Sequence, residues 1–400
     1  MQICIVNDYS LTHIGGAVTS LLEQKKSLEN AGHTVFLLQL GTPLTDTKLD
    51  QSKIIYVKPS FTMPSAFFNL PFIFGTKKNC QKIRDILIDN KIDIVHFQSE
   101  FSLGFTTMKA AKQLKIPTVF TIHTFFWKYL GKVGNQIIAR VIRSLFESVI
   151  KQKITFEKLP GNIVEQTLKN ITLTLAKQSN AIISPSYHQR VILEQTSLKT
   201  PCYNVPNPFT APLSSPPAHL VNKEAHPLRI IWIGRCDSEK RPIEFLKAVK
   251  IASSLTDKKF FVDIIGDGNL LETMKQKFQL DTVTFYGKQP HEKIVSYIDK
   301  SDIVALSSYH FDNQPMTIAE GITRFRPIFY CDERLSKEIQ SAGYMSKNES
   351  INSMAEAIVK LVENPQIIYK LSVSAKESSQ IFNSATYSKT VEQIYSKLLI

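Results

Sequence analysis

The segment SSYHFDNQPMTIAEG, residues 307–321, contains the side chains of this sequence that are best suited to chemistry. It follows a short apolar run, and we expect a helix to open near Pro315, because proline is pre-organised for the first helical turn. The backbone N–H groups of Met316 and Thr317 would then point out of the helix N-terminus. Such groups bind anions, so the segment predicts a site for a phosphate or another anion.

Two carboxylates, Asp312 and Glu320, flank this helix start and are eight residues apart. Carboxylate oxygens accept hydrogen bonds from hydroxyl groups. Glu320, inside the predicted helix, is therefore suited to the two hydroxyls of a ribose, and Asp312 to the hydroxyls of a sugar. The alternative is an acid at a helix start and a partly exposed helix acid, neither of which contacts a ligand.

Two cations occur in a second loop, where Gly234 and Arg235 end a predicted strand and Lys240 follows. Positive side chains at such a loop neutralise a diphosphate, and an arginine does so with two parallel hydrogen bonds. Gly266 ends the next long strand, and the lack of a side chain there permits close approach to the backbone. Alternatively, the charges belong to a solvated loop and the glycine marks an ordinary strand end.

Apolar runs alternate with helical patterns along the whole chain, which is typical of βαβ units and parallel sheets. The runs Ile3–Asn7 and Leu228–Gly234 each begin such a series. Ligands of these sheets bind beyond the carboxyl ends of the strands. We therefore predict an α/β protein with two Rossmann-like domains that face a central cleft.

The length of 400 residues also favours two domains, because a single core stops growing at about 250–300 residues. Prolines cluster between positions 200 and 227, which suits a connection between domains. We place the first domain at 1–205 and the second at 206–384. A C-terminal helix at 385–400 is expected to pack back on the first domain.

Lysine and arginine outnumber aspartate and glutamate by 48 to 35, which gives a formal net charge of +13. The excess lies in the first half: residues 1–200 hold 24 basic and 13 acidic side chains, whereas residues 201–400 hold 24 and 22. The first half therefore favours an anionic partner. Nucleic acid, anionic lipid and a phosphorylated substrate are all compatible with this charge.

Five scattered cysteines without a C-x-x-C pair argue against a disulfide framework or a structural zinc site. The N-terminus, MQICIVNDYS, lacks the basic and apolar regions of a signal peptide. No run approaches the ~18 apolar residues of a membrane-spanning helix. We therefore expect a cytoplasmic protein, and we expect any membrane contact to be peripheral.

Positive charge is concentrated in the stretch Lys109–Lys158, which has ten basic and two acidic residues. Apolar pairs recur every four residues from Ile137 to Ile150, and this spacing predicts a helix with one apolar face opposite Arg140 and Arg143. An aromatic cluster lies just upstream and consists of Phe125, Phe126 and Trp127. Basic amphipathic helices bind membrane interfaces, although a helix that covers a sheet is amphipathic for packing reasons alone. No recognition motif for nucleic acid accompanies the charge, so we expect none to bind.

The strings GRCDSEK, IIGDGN, FYGKQP and DNQPMTIAEG occur in the order and spacing of the retaining glycosyltransferases of family 4. The chain resembles that family, which has the GT-B fold, over essentially its whole length. The resemblance implies that Arg235 and Lys240 bind the donor diphosphate and that Glu320 binds the ribose. Asp312 stands where the family has a glutamate in contact with the donor sugar, and it is one methylene shorter. The other positions implied in donor binding are Gly266, Pro315, Met316 and Thr317.

The first half carries further positions of the family pattern. In the pair Gly15–Gly16, Gly16 matches a glycine loop near the donor phosphate; the alternative is an ordinary turn between a strand and a helix. His123 matches a histidine that contacts the donor sugar, although a lone histidine at a strand end is often structural. Glu100 matches an acid near the cleft. The strings HFQSEFSLG and TIHTFFWKYLG are similar to those of bacterial family members that glucosylate diacylglycerol.

The resemblance implies a retaining enzyme that moves a hexose, in particular glucose, from a UDP-sugar to a membrane lipid such as diacylglycerol. Domain 1–205 would bind the acceptor and domain 206–384 the nucleotide sugar. We expect no metal and no cofactor, since the sequence has no D-x-D motif. The enzyme would lie at the inner face of the cell membrane. The residues implied in catalysis are His123, Arg235, Lys240, Asp312 and Glu320.

Three alternatives stay open on the sequence alone. The first is a glycosyltransferase of capsule or cell-wall polysaccharide assembly. The second is a non-catalytic GT-B partner subunit, which is compatible with the replacement of a family glutamate by Asp312. The third is a sugar-nucleotide epimerase with the same fold.

Overall fold

The structure, a computed structural model, describes residues 1–11, 15–43, 51–63, 70–123, 125, 135–212, 215–222, 224 and 226–400. The chain divides into two compact units. Unit 1 consists of Met1–Val205 together with Tyr387–Ile400, and unit 2 consists of Pro206–Thr386. Each unit has a parallel sheet and helices packed against it.

The strands of unit 1 are largely apolar, as expected for a parallel sheet that helices cover on both faces. They are β1 (Gln2–Asn7), β2 (Thr34–Leu40), β3 (Ile54–Val57), β4 (Phe61–Thr62), β5 (Pro71–Phe72), β6 (Ile94–Phe97), β7 (Thr118–Thr121), β8 (Ala181–Ser184) and β9 (Cys202–Asn204). In the described part of the unit, one sheet has the order β3–β2–β1–β6–β7–β8–β9, and β4 pairs with β5. Ile5 of β1 lies opposite Leu37 and His96, which sets the parallel register.

The helices of unit 1 in the described residues are α1 (Gly16–Asn30), α2 (Lys77–Asp89), α3 (Ser102–Leu114), α4 (Gln136–Ile150), α5 (Ile163–Ala176) and α6 (Tyr187–Glu194). Side-chain caps define several of their starts. Thr76 accepts a hydrogen bond from the backbone at the start of α2, and Asn162 accepts two at the start of α5. Such caps satisfy N–H groups that have no partner within the helix.

Unit 2 repeats the arrangement with β10 (Leu228–Ile233), β11 (Phe260–Ile265), β12 (Val283–Gly287), β13 (Ile303–Leu306), β14 (Ile328–Tyr330) and β15 (Gly343–Met345). Its helices are α7 (Pro242–Leu255), α8 (Leu271–Lys277), α9 (His291–Lys300), α10 (Met316–Thr323), α11 (Ser336–Ile339), α12 (Ile351–Glu363) and α13 (Pro365–Ser378). The sheet order is β12–β11–β10–β13–β14–β15. The order therefore reverses at β10, and ligands of such sheets bind at the carboxyl ends of the strands at this point.

The last helix, α14 (Ser384–Leu398), belongs to unit 1. The hydroxyl of its Tyr395 lies 2.6 Å from Nδ1 of His96 in β6. Its Tyr387 donates a 2.8 Å hydrogen bond to Gln24 of α1. Both tyrosines are buried, so α14 is part of the core of unit 1.

The proline-rich stretch is held against unit 2 by two arginines that follow α10. Arg324 donates to the carbonyl of Pro216 at 2.7 Å and pairs with Asp299. Arg326, which is almost completely buried, donates to the carbonyl of His219 at 2.7 Å. The sequence suggested a simple connection between domains here, and the structure shows that part of it is packed onto unit 2.

The prediction of an α/β chain with parallel sheets in two domains is confirmed. The predicted runs Ile3–Asn7 and Leu228–Gly234 correspond to β1 and β10, and the helix predicted at 385–400 corresponds to α14, each to within two residues at either end. The short strands β9 and β15 and the pair β4–β5 are not evident in the sequence. These have two or three residues each, which is too short for a hydrophobic pattern to stand out.

The basic helix predicted near residue 140 is α4, and only part of its broad apolar face is buried. Phe146 and Ile150 are buried in the core, whereas Ile137, Val141 and Leu145 are 69%, 50% and 62% exposed. Neighbouring residues are about 100° apart around a helix. The recurring pairs therefore cover both an inward and an outward side of α4.

Candidate active site

Glycine is required where the loops after β10 and β11 meet. The chain leaves β10 at Gly234, and Gly266 follows β11 directly. Gly266 has a φ of +145°, and a Cβ at this position would lie 1.8 Å from the carbonyl oxygen of Gly234. The sequence predicted a close approach to the backbone at Gly266. In the structure the loop that contains Gly234 makes this approach, and the contact keeps the two loops together at the end of β10.

Lys240 and Asp312 meet at the carboxyl ends of β10 and β13. The Lys240 Nζ atom lies 2.5 Å from the Asp312 Oδ1 atom, and the Ser308 hydroxyl donates to Asp312 Oδ2. The ring of Phe311 lies 5.7 Å from the ammonium group. Both oxygens of this buried carboxylate thus have protein partners. Lys240, which was expected to bind the diphosphate, therefore contacts Asp312, which was expected to bind the donor sugar.

Ser307 fixes the backbone that carries Lys240. Its hydroxyl donates to the carbonyl of Lys240 at 2.6 Å and accepts from the indole N–H of Trp232 at 2.9 Å. Trp232 lies in β10 and is buried. The position of the Lys240 main chain therefore follows from the packing of the sheet.

Helix α10 begins at Met316, directly after Pro315, as predicted. Two polar atoms near this helix start are buried and have no hydrogen-bond partner among the described residues: Nε2 of Gln314 and Oγ1 of Thr317. The other amide atom of Gln314, Oε1, accepts a 2.7 Å bond from the backbone of Asn207. Donors at the start of a helix favour an anion, so the local chemistry agrees with the predicted phosphate site.

Glu320 is buried within α10 and is only 4% exposed. Its Oε1 atom lies 3.1 Å from Nε2 of His291, the first residue of α9. The ring of Phe209 packs edge-on against His291, with centroids 6.1 Å apart. The carboxylate predicted to bind ribose is thus held by a histidine that the sequence analysis did not identify, although it directly follows the string FYGKQP.

Arg235 makes ion pairs within its own loop. Its guanidinium lies 3.1 Å from an Asp237 oxygen and 2.5 Å from a Glu239 oxygen. The side chain is 30% exposed, so a ligand can approach it. A diphosphate would compete with these two carboxylates for the guanidinium.

His123 lies just beyond β7 at the carboxyl edge of the sheet in unit 1. It hydrogen-bonds through Nε2 to Gln98, and Gln98 in turn donates to Gln24 at 3.0 Å. Burial lowers the pKa of His123 to about 3. The imidazole is therefore neutral at physiological pH and would act as a hydrogen-bonding group, not as a cation. Gly16, which was also predicted to belong to the site, is the first residue of α1.

Two buried carboxyl groups lie near the same edge. Asp8 accepts from the Ser99 hydroxyl at 2.8 Å and from the Leu103 backbone at 2.7 Å, and burial raises its pKa to about 6. Glu100 accepts from Thr172 at 3.2 Å, and burial raises its pKa to about 8. Glu100 is therefore mostly protonated at neutral pH. Its predicted proximity to an acceptor stays a prediction.

The residues predicted to meet an acceptor or a membrane are in different environments. Arg140 is exposed, whereas Arg143 pairs with Glu147 at 2.9 Å. Phe125 is only 4% exposed and packs on His188, so its predicted place on the surface was wrong. Its apolar ring gains more from the core than from water. The other two members of the aromatic cluster, Phe126 and Trp127, lie outside the described residues.

Across the ranges that the structure describes, no helix is both long and apolar enough to cross a bilayer. Within the same ranges, no three His, Cys, Asp or Glu side chains are grouped as metal ligands would be.

Ser308 and His291, which hold Asp312 and Glu320 in place, were not among the residues predicted for the site. Ser308 lies inside the segment 307–321, and His291 directly follows the string FYGKQP. Both residue types can hydrogen-bond a carboxylate, and this was the only indication in the sequence that they could hold the predicted acids. The contact of Ser308 with Asp312 and that of His291 with Glu320 depend on how the strands and helices pack.

Two family models match the chain. Glycosyltransferase Family 4 matches residues 14–208, and Glycosyl transferases group 1 matches residues 221–380. The chain is 24% identical over 420 aligned positions to an alpha-monoglucosyldiacylglycerol synthase of Acholeplasma laidlawii, with 100% of this chain and 98% of the relative covered. It is 23% identical to an alpha-monoglucosyldiacylglycerol synthase of Streptococcus pneumoniae, with 90% and 78% covered.

Among solved structures, the chain is similar to HepE of Anabaena in complex with UDP and glucose. The TM-score is 0.68, the identity is 14%, and the match covers 99% of this chain and 100% of the other. Such a likeness shows the fold, which is the GT-B arrangement of two parallel-sheet domains. With both family models matched in sequence order along the chain, this protein belongs to the family 4 glycosyltransferases.

Proposed function

We propose that this glycosyltransferase moves glucose from UDP-glucose to diacylglycerol at a membrane surface, with retention of configuration. The observation that carries the proposal is the junction of Lys240 with Asp312 and Ser308 beside the start of α10. At this junction a cation, a carboxylate and a helix N-terminus lie close together at the carboxyl edge of one sheet. A nucleoside diphosphate sugar needs these groups for its phosphates and its hydroxyls.

The choice of donor and acceptor is supported by what the relatives are. Both curated relatives are alpha-monoglucosyldiacylglycerol synthases, and the similarity to the first extends over the whole chain. The solved structure of HepE contains UDP and glucose.

In the proposed reaction, the bond between the anomeric carbon and the diphosphate oxygen breaks while the acceptor oxygen bonds to that carbon from the same face. The acceptor proton passes to the departing phosphate. Lys240, Arg235 and the N–H groups of Met316 and Thr317 stabilise the negative charge that develops on the diphosphate. Electrostatic stabilisation of this kind is often the largest single contribution to catalysis.

The ion pair of Lys240 with Asp312 assigns each residue a task in this scheme. Asp312 positions the ammonium group until the diphosphate takes it over. The released carboxylate oxygen is then available to a hydroxyl of the donor sugar. Ser308 continues to hold the second oxygen, so the carboxylate keeps its orientation.

Glu320 binds the ribose hydroxyls in the proposed complex, and His291 orients it. A carboxylate that accepts two hydroxyl bonds recognises a ribose because both oxygens are used. The contact at 3.1 Å leaves Glu320 Oε1 anchored on one side. We expect the reaction to need no metal ion, so activity should survive treatment with EDTA.

The proposed lipid acceptor requires a surface that meets a membrane, and we propose α4 as that surface. Its outward side exposes Ile137, Ile138, Val141 and Leu145. The surrounding stretch Lys109–Lys158 has an excess of eight positive charges. Apolar burial combined with attraction to anionic headgroups binds a helix at a membrane interface. We therefore propose an anionic bilayer as the partner of α4, which places the enzyme peripherally, at the inner face of the cell membrane.

A donor screen tests the proposal. UDP and GDP release is measured from UDP-glucose, UDP-galactose and GDP-mannose, with and without vesicles that contain diacylglycerol and phosphatidylglycerol. We expect release from UDP-glucose that depends on the diacylglycerol. Release only with a soluble saccharide acceptor, or equal release without any acceptor, would contradict the proposal. Glu320→Ala should abolish the release, and Glu356→Ala, on the exposed side of α12, should not.

A further inference from the structure

A cavity of about 410 Å³ lies in unit 1 between α2 and α3. Its polar lining includes Lys77, Gln81 and Arg84 from α2 and Lys109 and Gln113 from α3. None of the described residues that line it is acidic. The volume is within the range of small-ligand sites, which is about 300–1,000 Å³.

The spacing of these residues turns them toward one another. Lys77, Gln81 and Arg84 are four and then three residues apart, so they share one face of α2. Lys109 and Gln113 are four apart and share one face of α3. The Arg84 Nη1 atom donates to Gln113 Oε1 at 3.3 Å, which joins the two faces across the cavity.

The cations of the cavity have no acidic counterpart in the described parts of the chain. None of Lys77, Arg84 and Lys109 forms an ion pair there. The Nε atom of Arg84 is buried and lacks a hydrogen-bond partner among the described residues. Like charges on facing helices repel, and a bound anion offsets that repulsion.

Lys109 connects the cavity with α4. Its ammonium group donates to the carbonyls of Ile150 at 2.6 Å and of Lys151 at 3.1 Å, at the C-terminal end of that helix. Gly75, another lining residue, donates from its backbone to the carbonyl of Val149 at 2.8 Å. The cavity therefore adjoins the end of the helix whose outer side is exposed and apolar.

We propose that this cavity binds a phosphate group, supplied either by a phospholipid headgroup or by a soluble phosphate. Two lysines and an arginine bind phosphate oxygens through charge-assisted hydrogen bonds. Gln81 adds an amide at the rim, although its Nε2 atom also donates to Asp85 at 2.7 Å. The site rests on its own geometry, and only a lipid source would depend on the proposed membrane contact of α4.

Calorimetric titration of the full chain tests this site with two probes, inorganic phosphate and monomeric dioctanoylphosphatidylglycerol. The cavity variant is Lys77→Gln/Arg84→Gln. The matched control is Lys78→Gln/Lys82→Gln, which removes the same charge from exposed positions of α2 that do not line the cavity. We expect the cavity variant to bind at least tenfold more weakly and the control to bind like the wild type.

The two probes distinguish the sources of the phosphate group, and further variants test whether the cavity is where it binds. Binding of the lipid alone identifies a headgroup site, whereas binding of both probes shows that phosphate is sufficient. Equal weakening in the control variant, weakening only in Lys240→Gln, or no binding of either probe would overturn the proposal. If Lys77→Gln/Arg84→Gln does not fold, Gln113→Glu places a carboxylate beside Arg84 and should also weaken binding tenfold. Binding to folded Gln113→Glu at wild-type strength would then overturn it.

Discussion

At the residue scale, the family resemblance puts Asp312 at the position of a longer glutamate, and this shorter acid has specific partners. Lys240 and Ser308 occupy its two oxygens. A buried carboxylate needs such partners because burial of an unpaired charge is costly. The replacement therefore leaves a satisfied ion pair at the site, which is compatible with catalysis.

Glu320→Gln keeps the shape of the side chain and removes its charge. Hydrogen bonds to a charged group contribute about 1.5–3 kcal/mol. We expect the KM for UDP-glucose to rise about 10- to 100-fold, with a smaller change in kcat, because in the proposed complex Glu320 holds the ribose both before and during the reaction. Steady-state kinetics measure this, with Glu356→Gln as the control. A fall in kcat at constant KM would contradict a role in ribose binding.

The raised pKa of Glu100 predicts how the free energy of unfolding depends on pH. Its pKa is raised from an ordinary value of 4.5 to about 8 in the folded chain. Between these values the folded state binds more protons than the unfolded state, so this residue makes stability fall as pH rises. Glu100→Gln stays neutral. Its stability relative to the wild type should therefore increase from pH 5 to pH 8, by at least the ~1.4 kcal/mol of one pKa unit.

Urea denaturation of both proteins at several pH values measures this difference. The raised pKa of Asp8 and the lowered pKa values of His96 and His123 are present in both proteins and largely cancel. Asp89→Asn, at an exposed position of α2, is the control and should show a constant difference. A constant difference for Glu100→Gln as well would contradict the raised pKa.

At the element scale, the site depends on the loops that end β10, β11 and β13. Gly266 needs to be a glycine for two reasons, because it has a positive φ and because the Gly234 backbone approaches it closely. Gly41 has a similar φ of +135°, but nothing lies within 4 Å of a Cβ there. The two positions form a matched pair.

Gly266→Ala should destabilise unit 2 by more than Gly41→Ala destabilises unit 1. Backbone strain alone costs about 1–3 kcal/mol, and the contact with Gly234 adds to it only at position 266. Thermal denaturation, combined with the KM for UDP-glucose, measures both effects. We expect Gly266→Ala to weaken donor binding and Gly41→Ala to leave it unchanged. Equal losses of stability in the two variants would contradict the prediction, because they would show that the contact with Gly234 adds no cost at position 266.

The exposed side of α4 yields a second prediction at this scale. Ile137→Ser/Val141→Ser/Leu145→Ser removes apolar surface without changing the charge. We expect partition onto vesicles with phosphatidylglycerol to fall at least tenfold, because apolar burial contributes about 25 cal/mol per Å². Ile192→Ser/Leu255→Ser removes exposed apolar side chains elsewhere and is the control. Equal partition of all three proteins in co-sedimentation would exclude α4 as the contact.

Much of this site could be predicted from the sequence, because strand ends and a helix start are local features. Pro315 marks the start of α10, and the apolar run before Ser307 marks β13. The contact of Lys240 with Asp312 is not local, since it requires β10 and β13 to be neighbours in the sheet. The inward turn of Phe146 likewise depends on packing against α3, where it meets Phe105 at 5.7 Å.

At the scale of the whole molecule, charge is divided according to the proposed roles. The first 200 residues carry an excess of 11 positive charges, and the second 200 an excess of two. A diphosphate site needs a few placed cations, whereas attraction to an anionic surface depends on the total charge nearby. This division agrees with a donor site in unit 2 and a membrane-facing surface in unit 1.

The identity of the glycosylated product tests the central claim most directly. The enzyme is incubated with UDP-glucose labelled with carbon-13 in the sugar and with vesicles of diacylglycerol and phosphatidylglycerol. The lipid fraction is then examined by mass spectrometry and by NMR of the anomeric position. We predict labelled monoglucosyldiacylglycerol in the α configuration. A β-linked product, or label found only in a water-soluble product or in free glucose, would contradict the proposed function.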